Sequence, residues 1–63
     1  MQDYQLRVIE EQEALYTKWT KLSDFMHSNQ YGNIDSINQG LLMVQFVAME
    51  NYLSVLKRRI ELF

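Results

Sequence analysis

The chain has no cysteine, no proline and only two glycines, Gly32 and Gly40, among its 63 residues. Without cysteine there is no disulfide and no thiolate metal site. One histidine, His27, cannot build a zinc centre alone. No apolar run approaches the roughly 18 to 20 residues that a membrane-crossing helix needs. No basic stretch leads into an apolar one at the N-terminus, so no signal peptide is expected and the cytoplasm is the default compartment. With six basic residues against eight acidic ones, the formal charge is −2. That balance gives no general attraction for the phosphate backbone of DNA.

What is present is apolar surface. Hydrophobic residues make up 48% of the chain and charged residues 22%, the composition of an ordered domain without a disordered tail. Sixty-three residues form a single domain, spanning 1–63. A domain of about 60 residues hides only about 60% of the surface its unfolded chain exposes. Disulfides, metals and oligomers are the usual remedies for such small cores. The first two are excluded, and self-association remains.

Between Asp3 and Ser28, the residues Tyr4, Val8, Leu15, Trp19, Leu22 and Met26 recur at helical spacings, with the polar pair Glu11 and Gln12 interrupting the stripe. This predicts a helix of about 25 residues, about 37 Å long. The pattern lapses from His27 to Asn33, where polar residues and Gly32 mark a turn or a short helix. Ser36 to Gln39 then reads as a capping box with Ser36 as N-cap, and Asp35 is a rival cap. Residues 31 to 36 could form a helical turn of their own.

The later segment has the clearest periodicity. Leu42, Phe46, Met49, Leu53, Leu56, Ile60 and Phe63 step by 4, 3, 4, 3, 4 and 3, a heptad seam. Beside it runs a second stripe, Leu41, Val44, Ala48, Tyr52 and Val55. One stripe can pack on the first helix, and the other calls for a partner chain. The expected fold is therefore all-α: an antiparallel hairpin of two long helices with a short turn or short helix between them, assembled into a homo-oligomeric helical bundle. An ordinary four-helix dimer with a scaffolding role and no ligand satisfies the same pattern.

Catalytic groups are scarce. Ser23, Asp24 and His27 lie within about one helical turn, but a solvated helix end accounts for them better than a catalytic site. Glu10, Glu11 and Glu13 lack the Glu-x-x-His partner of a carboxylate bundle site, so no metal and no cofactor are expected. A DNA-binding regulator would need a basic recognition helix, which the chain lacks. The run Lys57-Arg58-Arg59 points in successive directions about 100° apart and makes no flat patch in one protomer. Copies meeting at a symmetry axis could gather those charges around phosphate. Tyr4, Lys18 and Lys21 make a comparable set on the first helix, because aromatic faces beside lysines suit planar bases joined by phosphates.

Two blocks of residues carry a resemblance. Arg7-Val8-Ile9-x-Glu11 followed by Leu15-x-x-Lys18-x-x-Lys21-Leu22-x-x-Phe25 resembles the N-terminal helix of the phage anti-CBASS cyclic-oligonucleotide sponges. Leu41-Leu42-x-x-Gln45-x-x-x-Met49-x-x-Tyr52-x-x-x-Leu56-x-x-Arg59-Ile60 is similar to their later helix. The resemblance extends from about Tyr4 to Ile60. It implies a helical homohexamer that binds cyclic dinucleotides, and in some members cyclic trinucleotides at separate sites, in the cytoplasm of the infected bacterial host. It implies sequestration without cleavage, hence no enzyme. Tyr4 matches the family's base-stacking tyrosine and Lys18 or Lys21 its phosphate-binding lysine. Arg59, with Arg58 next, matches the arginine of the trinucleotide pocket. With Tyr4 so near the first residue, the resemblance leads one to expect little of the N-terminal extension of longer members, and a trinucleotide site less secure than the dinucleotide site. A structural or protein-binding helical homo-oligomer with no nucleotide ligand is the alternative.

Overall fold

The computed structural model describes all 63 residues as two long helices folded back on each other. Helix α1 spans Asp3–Met26 and helix α2 spans Ser36–Glu61, with a 3-10 turn at Tyr31–Asn33 between them. The hairpin measures 46 × 15 × 13 Å, an elongated rod of two helices. No helix is long and apolar enough to cross a membrane.

Helix α1 begins where the Gln5 side chain reaches back to accept from the Gln2 backbone N–H at 2.9 Å. It stops at Met26, two residues short of the Ser28 expected from the pattern. The last carbonyls accept both from the backbone N–H groups of His27 and Ser28 and from their side chains. The His27 Nδ1–H donates to the Ser23 carbonyl at 2.7 Å, and the Ser28 hydroxyl donates to the Phe25 carbonyl at 2.6 Å.

The start of α2 differs by one residue from the Ser36 capping box. Asp35, in extended backbone, is the N-cap, and its carboxylate accepts from the Asn38 backbone N–H at 3.1 Å and from the Asn38 side-chain amide at 2.8 Å. These two bonds hold the Asp35 carboxyl below the ordinary aspartate range. Gln39 does not close the box. Its side-chain amide donates to the Tyr31 carbonyl at 2.8 Å, while the Tyr31 hydroxyl donates to the Gln39 carbonyl at 2.9 Å. This reciprocal pair fixes the 3-10 turn to the first turn of α2, and Phe25 meets the Tyr31 ring edge-on at 6.2 Å.

The heptad seam of α2 is the face that α1 covers. Leu56 is fully buried, and Leu42, Phe46, Met49, Leu53 and Ile60 are partly covered. On α1 the facing residues are Gln5, Val8, Gln12, Leu15, Trp19, Leu22 and Met26, which step by 3, 4, 3, 4, 3 and 4. Trp19 stacks on Phe46 at mid-seam, and Tyr4 meets Phe63 edge-on at the open end. Only Val8 and Leu56 are buried outright. The chain exposes 4946 Å², against about 4,300 Å² for a compact folded monomer of this mass.

The excess is apolar and sits mainly on α2. Leu41, Val44, Ala48, Tyr52 and Val55, the second stripe, are all exposed, and so are Ile37, Met43 and Val47. Met43, Val44, Val47, Ala48 and Asn51 line a shallow groove along this outer side. A helix that is apolar on nearly all sides is one that belongs inside a bundle.

Candidate ligand-binding face

Helical periodicity sorts the exposed side chains of α1 into rows. Tyr4, Glu11 and Lys18 follow one another at intervals of seven and share one flank, with the half-buried Phe25 ending the row. Arg7, Ala14 and Lys21 form the neighbouring row on the same side. On α2 the corresponding row is Gln45, Tyr52 and Arg59. Gln12 and Tyr16 from α1 line one groove together with Glu50, Ser54 and Lys57 from α2, which identifies one side of the hairpin. The opposite flanks of both helices therefore share the other side. Four of the six basic residues, Arg7, Lys18, Lys21 and Arg59, lie on that second face, with Glu11 among them.

The antiparallel topology decides which of the sequence-derived candidates meet. Tyr4 is 55% exposed and touches Phe63 with ring centroids 6.0 Å apart and planes at 81°. Its free face is available for stacking. Arg59, in the last turn of α2, comes to the same end of the hairpin as Tyr4 and Arg7. Lys18 lies two heptads from Tyr4, about 21 Å along the axis at 1.5 Å per residue. One protomer therefore does not bring Tyr4 and Lys18 into a single compact pocket. Lys21 is exposed one turn further on. Arg58 points elsewhere and makes the chain's one ion pair, with Glu61 at 3.5 Å.

Arg7 and Tyr52 were not singled out from the sequence, yet both lie on this face. The signal was available in the spacings: Arg7 is three residues from Tyr4 and two heptads from Lys21, and Tyr52 is one heptad from Arg59. Ser23, Asp24 and His27 form no catalytic relay, because the His27 ring is committed to the Ser23 backbone carbonyl. No group of three or more His, Cys, Asp or Glu side chains is placed to hold a metal ion.

The fold and this face define a small two-helix protein with aromatic and cationic side chains on open surface. Comparison with known proteins gives the class a family. The Sequestin family model matches residues 2–62, and the chain belongs to that family, the anti-CBASS sponges that its two helical blocks resemble. This is a family of binding proteins that sequester signalling molecules. A relative from Enterobacteria phage T4, described as an uncharacterized 7.5 kDa protein of the denB-rIIB intergenic region, is 38% identical over 60 residues. The match covers 95% of this chain and 94% of the relative. No solved structure matches the chain.

Proposed function

We propose that the protein, assembled from several copies of itself as a homohexamer, sequesters cyclic dinucleotide messengers of bacterial CBASS defence in the cytoplasm of the infected host and releases them chemically intact. Family membership over residues 2–62 is the observation that carries this reading. The rows on α1 support it. A two-fold axis crossing α1 at Glu11 sets Tyr4 of one copy opposite Lys18 of a second, since both lie seven residues from that point. A ligand with two flat bases and two phosphates on a compact ring has matching symmetry. Each base stacked on Tyr4 contributes about 1 to 3 kcal/mol, and the lysine ammonium adds charge-assisted bonds to phosphate. Lys18, on the row of Tyr4, suits this role better than Lys21. Glu11 at the axis is balanced by Arg7 one turn away on each copy.

Arg59 is the candidate for a cyclic trinucleotide contact. It is exposed and outside the Arg58–Glu61 pair, whereas the Arg58 guanidinium is engaged there. Sequestration needs tight binding and slow release but no stabilised transition state, which agrees with a surface lacking a nucleophile and its base.

Calorimetric titration with a panel of cyclic di- and trinucleotides, followed by recovery of the ligand and chromatography, tests the reading. Tight uptake with intact release is expected. Cleaved ligand would make the protein a nuclease, and no uptake across the panel would leave a purely structural helical oligomer. Tyr4→Ala should reduce dinucleotide affinity about tenfold or more with assembly size unchanged. Normal binding by both Lys18→Ala and Lys21→Ala would remove the phosphate assignment, and Arg59→Ala tests the trinucleotide contact separately.

A further inference from the structure

The side of the hairpin opposite Tyr4 and Lys18 carries a separate groove. Trp19 and Leu53 supply its apolar surface, Tyr16 flanks it, and Gln12, Glu50, Ser54 and Lys57 complete the lining. Its volume is about 310 Å³, at the small end of the range for small-molecule sites. Three features distinguish it from an incidental gap between helices.

The first is an aromatic ladder. Phe46 stacks on Trp19 at 5.2 Å, and Tyr16 follows at 6.0 Å with its plane tilted by 35°. Tyr16 ends the ladder at the surface, 57% exposed. The second is an indole donor without an acceptor. The Trp19 Nε1 atom is buried and has no hydrogen-bond partner in the chain. Buried polar groups are satisfied in the great majority of native structures, so the lone hairpin leaves this indole N–H one acceptor short next to the residues that line the groove. The third is unpaired charge of both signs. The chain's one ion pair is Arg58–Glu61, which leaves Lys57 and Glu50 at the groove without salt-bridge partners. They lie seven residues apart on the same side of α2, about 10 Å along the axis.

We propose that this groove is a second binding site, for a planar heterocycle bearing an anionic group, the chemistry of a nucleoside monophosphate. The ring stacks on Tyr16. Acceptors on the ring edge meet the Gln12 amide, and an exocyclic amine donates to Glu50. The anionic group extends along α2 to Lys57. The Ser54 hydroxyl already donates to the Glu50 carbonyl at 3.2 Å and keeps its lone pairs for a donor from the ligand. The site is independent of the Tyr4 face and stands or falls without it.

Trp19 is the only tryptophan, so its fluorescence reports on the groove directly. The test is titration of the full chain with 5′-AMP and 5′-CMP, with adenosine as the uncharged control. A saturable change in Trp19 emission is expected for the monophosphates. Tyr16→Ala and Lys57→Gln should each weaken it about tenfold, whereas Tyr4→Ala should leave it unchanged; a tenfold loss corresponds to about 1.4 kcal/mol. Adenosine binding should be indifferent to Lys57→Gln. Circular dichroism checks that the variants fold, and both replaced side chains are exposed. No change in emission up to millimolar nucleotide, or a change that survives in both groove variants, would overturn the proposal. A fall in assembly mass for Tyr16→Ala would assign the groove to contact between copies and overturn it as well. Failure of cyclic dinucleotide uptake in the calorimetric experiment would leave this result untouched.

Discussion

Trp19 lies flat against Phe46, with ring centroids 5.2 Å apart and planes only 19° from parallel, and this pair joins the middle of α1 to the middle of α2. Little else in the hairpin is well covered, because Val8 and Leu56 are its only buried residues. Loss of one ring should therefore be felt by the whole molecule. Phe46→Ala is expected to destabilise by about 2 to 4 kcal/mol, the lower part of the range for aromatic truncation, since Phe46 is only partly covered. Phe46→Leu should cost less than about 2 kcal/mol, because most of the volume is retained. Urea denaturation followed by far-ultraviolet circular dichroism measures both, and equal losses would place the stabilisation outside the ring pair.

The α2 seam was readable in advance because every position from Leu42 to Ile60 that faces α1 is apolar, and periodicity is what sequence carries best. The α1 seam was read incompletely for a physical reason. Gln5 and Gln12 occupy half-buried seam positions, and the Gln5 Oε1 accepts from the Gln2 N–H at the helix start, so a search for apolar residues passes over them. The cap of α2 was displaced by one residue because Asp35 and Ser36 are both strong N-cap formers and local pattern does not rank neighbours. Gln39 was assigned to its own helix start, but the Tyr31 carbonyl, eight residues back in the chain, takes its amide. Among the candidate site residues, the sequence supplied Tyr4 and the basic side chains. It did not show that Arg7 and Tyr52 share their face or that the Tyr16 groove lies on the other side, since both follow from how two helices are rotated against each other.

Asp35 should give the fold a dependence on acid. Two bonds from Asn38 hold its carboxyl below its ordinary range in the folded chain, while the unfolded chain titrates in that range. A folded value below the unfolded one means stability that is fully present above the ordinary aspartate range and is lost as pH falls through it toward the folded value. Thermal melts from neutral pH down to about pH 2 are expected to show this loss in the wild type. Asp35→Asn, which can still accept from the Asn38 N–H, should lose less over the same interval. A wild-type and Asn variant with identical acid profiles would remove Asp35 as the source.

Gly40 lies inside α2, and neither glycine has positive φ. A Cβ added at Gly40 meets nothing within 4 Å. The hairpin thus gives no reason for a residue that costs about 0.5 to 1 kcal/mol relative to alanine in a helix. Gly40→Ala should accordingly stabilise by about that amount, mainly by restricting the unfolded chain. Chemical denaturation at several protein concentrations measures it. A destabilised variant with reduced assembly mass would instead show that another copy packs closely against Gly40.

Assembly and binding should fail together. Val44 is 67% exposed on the stripe that α1 leaves open, and a lysine there stays solvated in a lone hairpin but is buried without a partner if a second copy covers the stripe. Val44→Lys is therefore expected to lower assembly mass in light scattering and to make the remaining structure melt at lower temperature, with the wild type's melting point rising with concentration. Tyr4, Lys18 and Arg59 are all retained in this variant. If the cyclic dinucleotide pocket is built from Tyr4 of one copy and Lys18 of another, about 21 Å away along α1 within a single copy, the dissociated variant should lose affinity at least about a hundredfold despite keeping every contact residue. Undiminished binding by a monomer would place the pocket within one hairpin and exclude the two-copy arrangement.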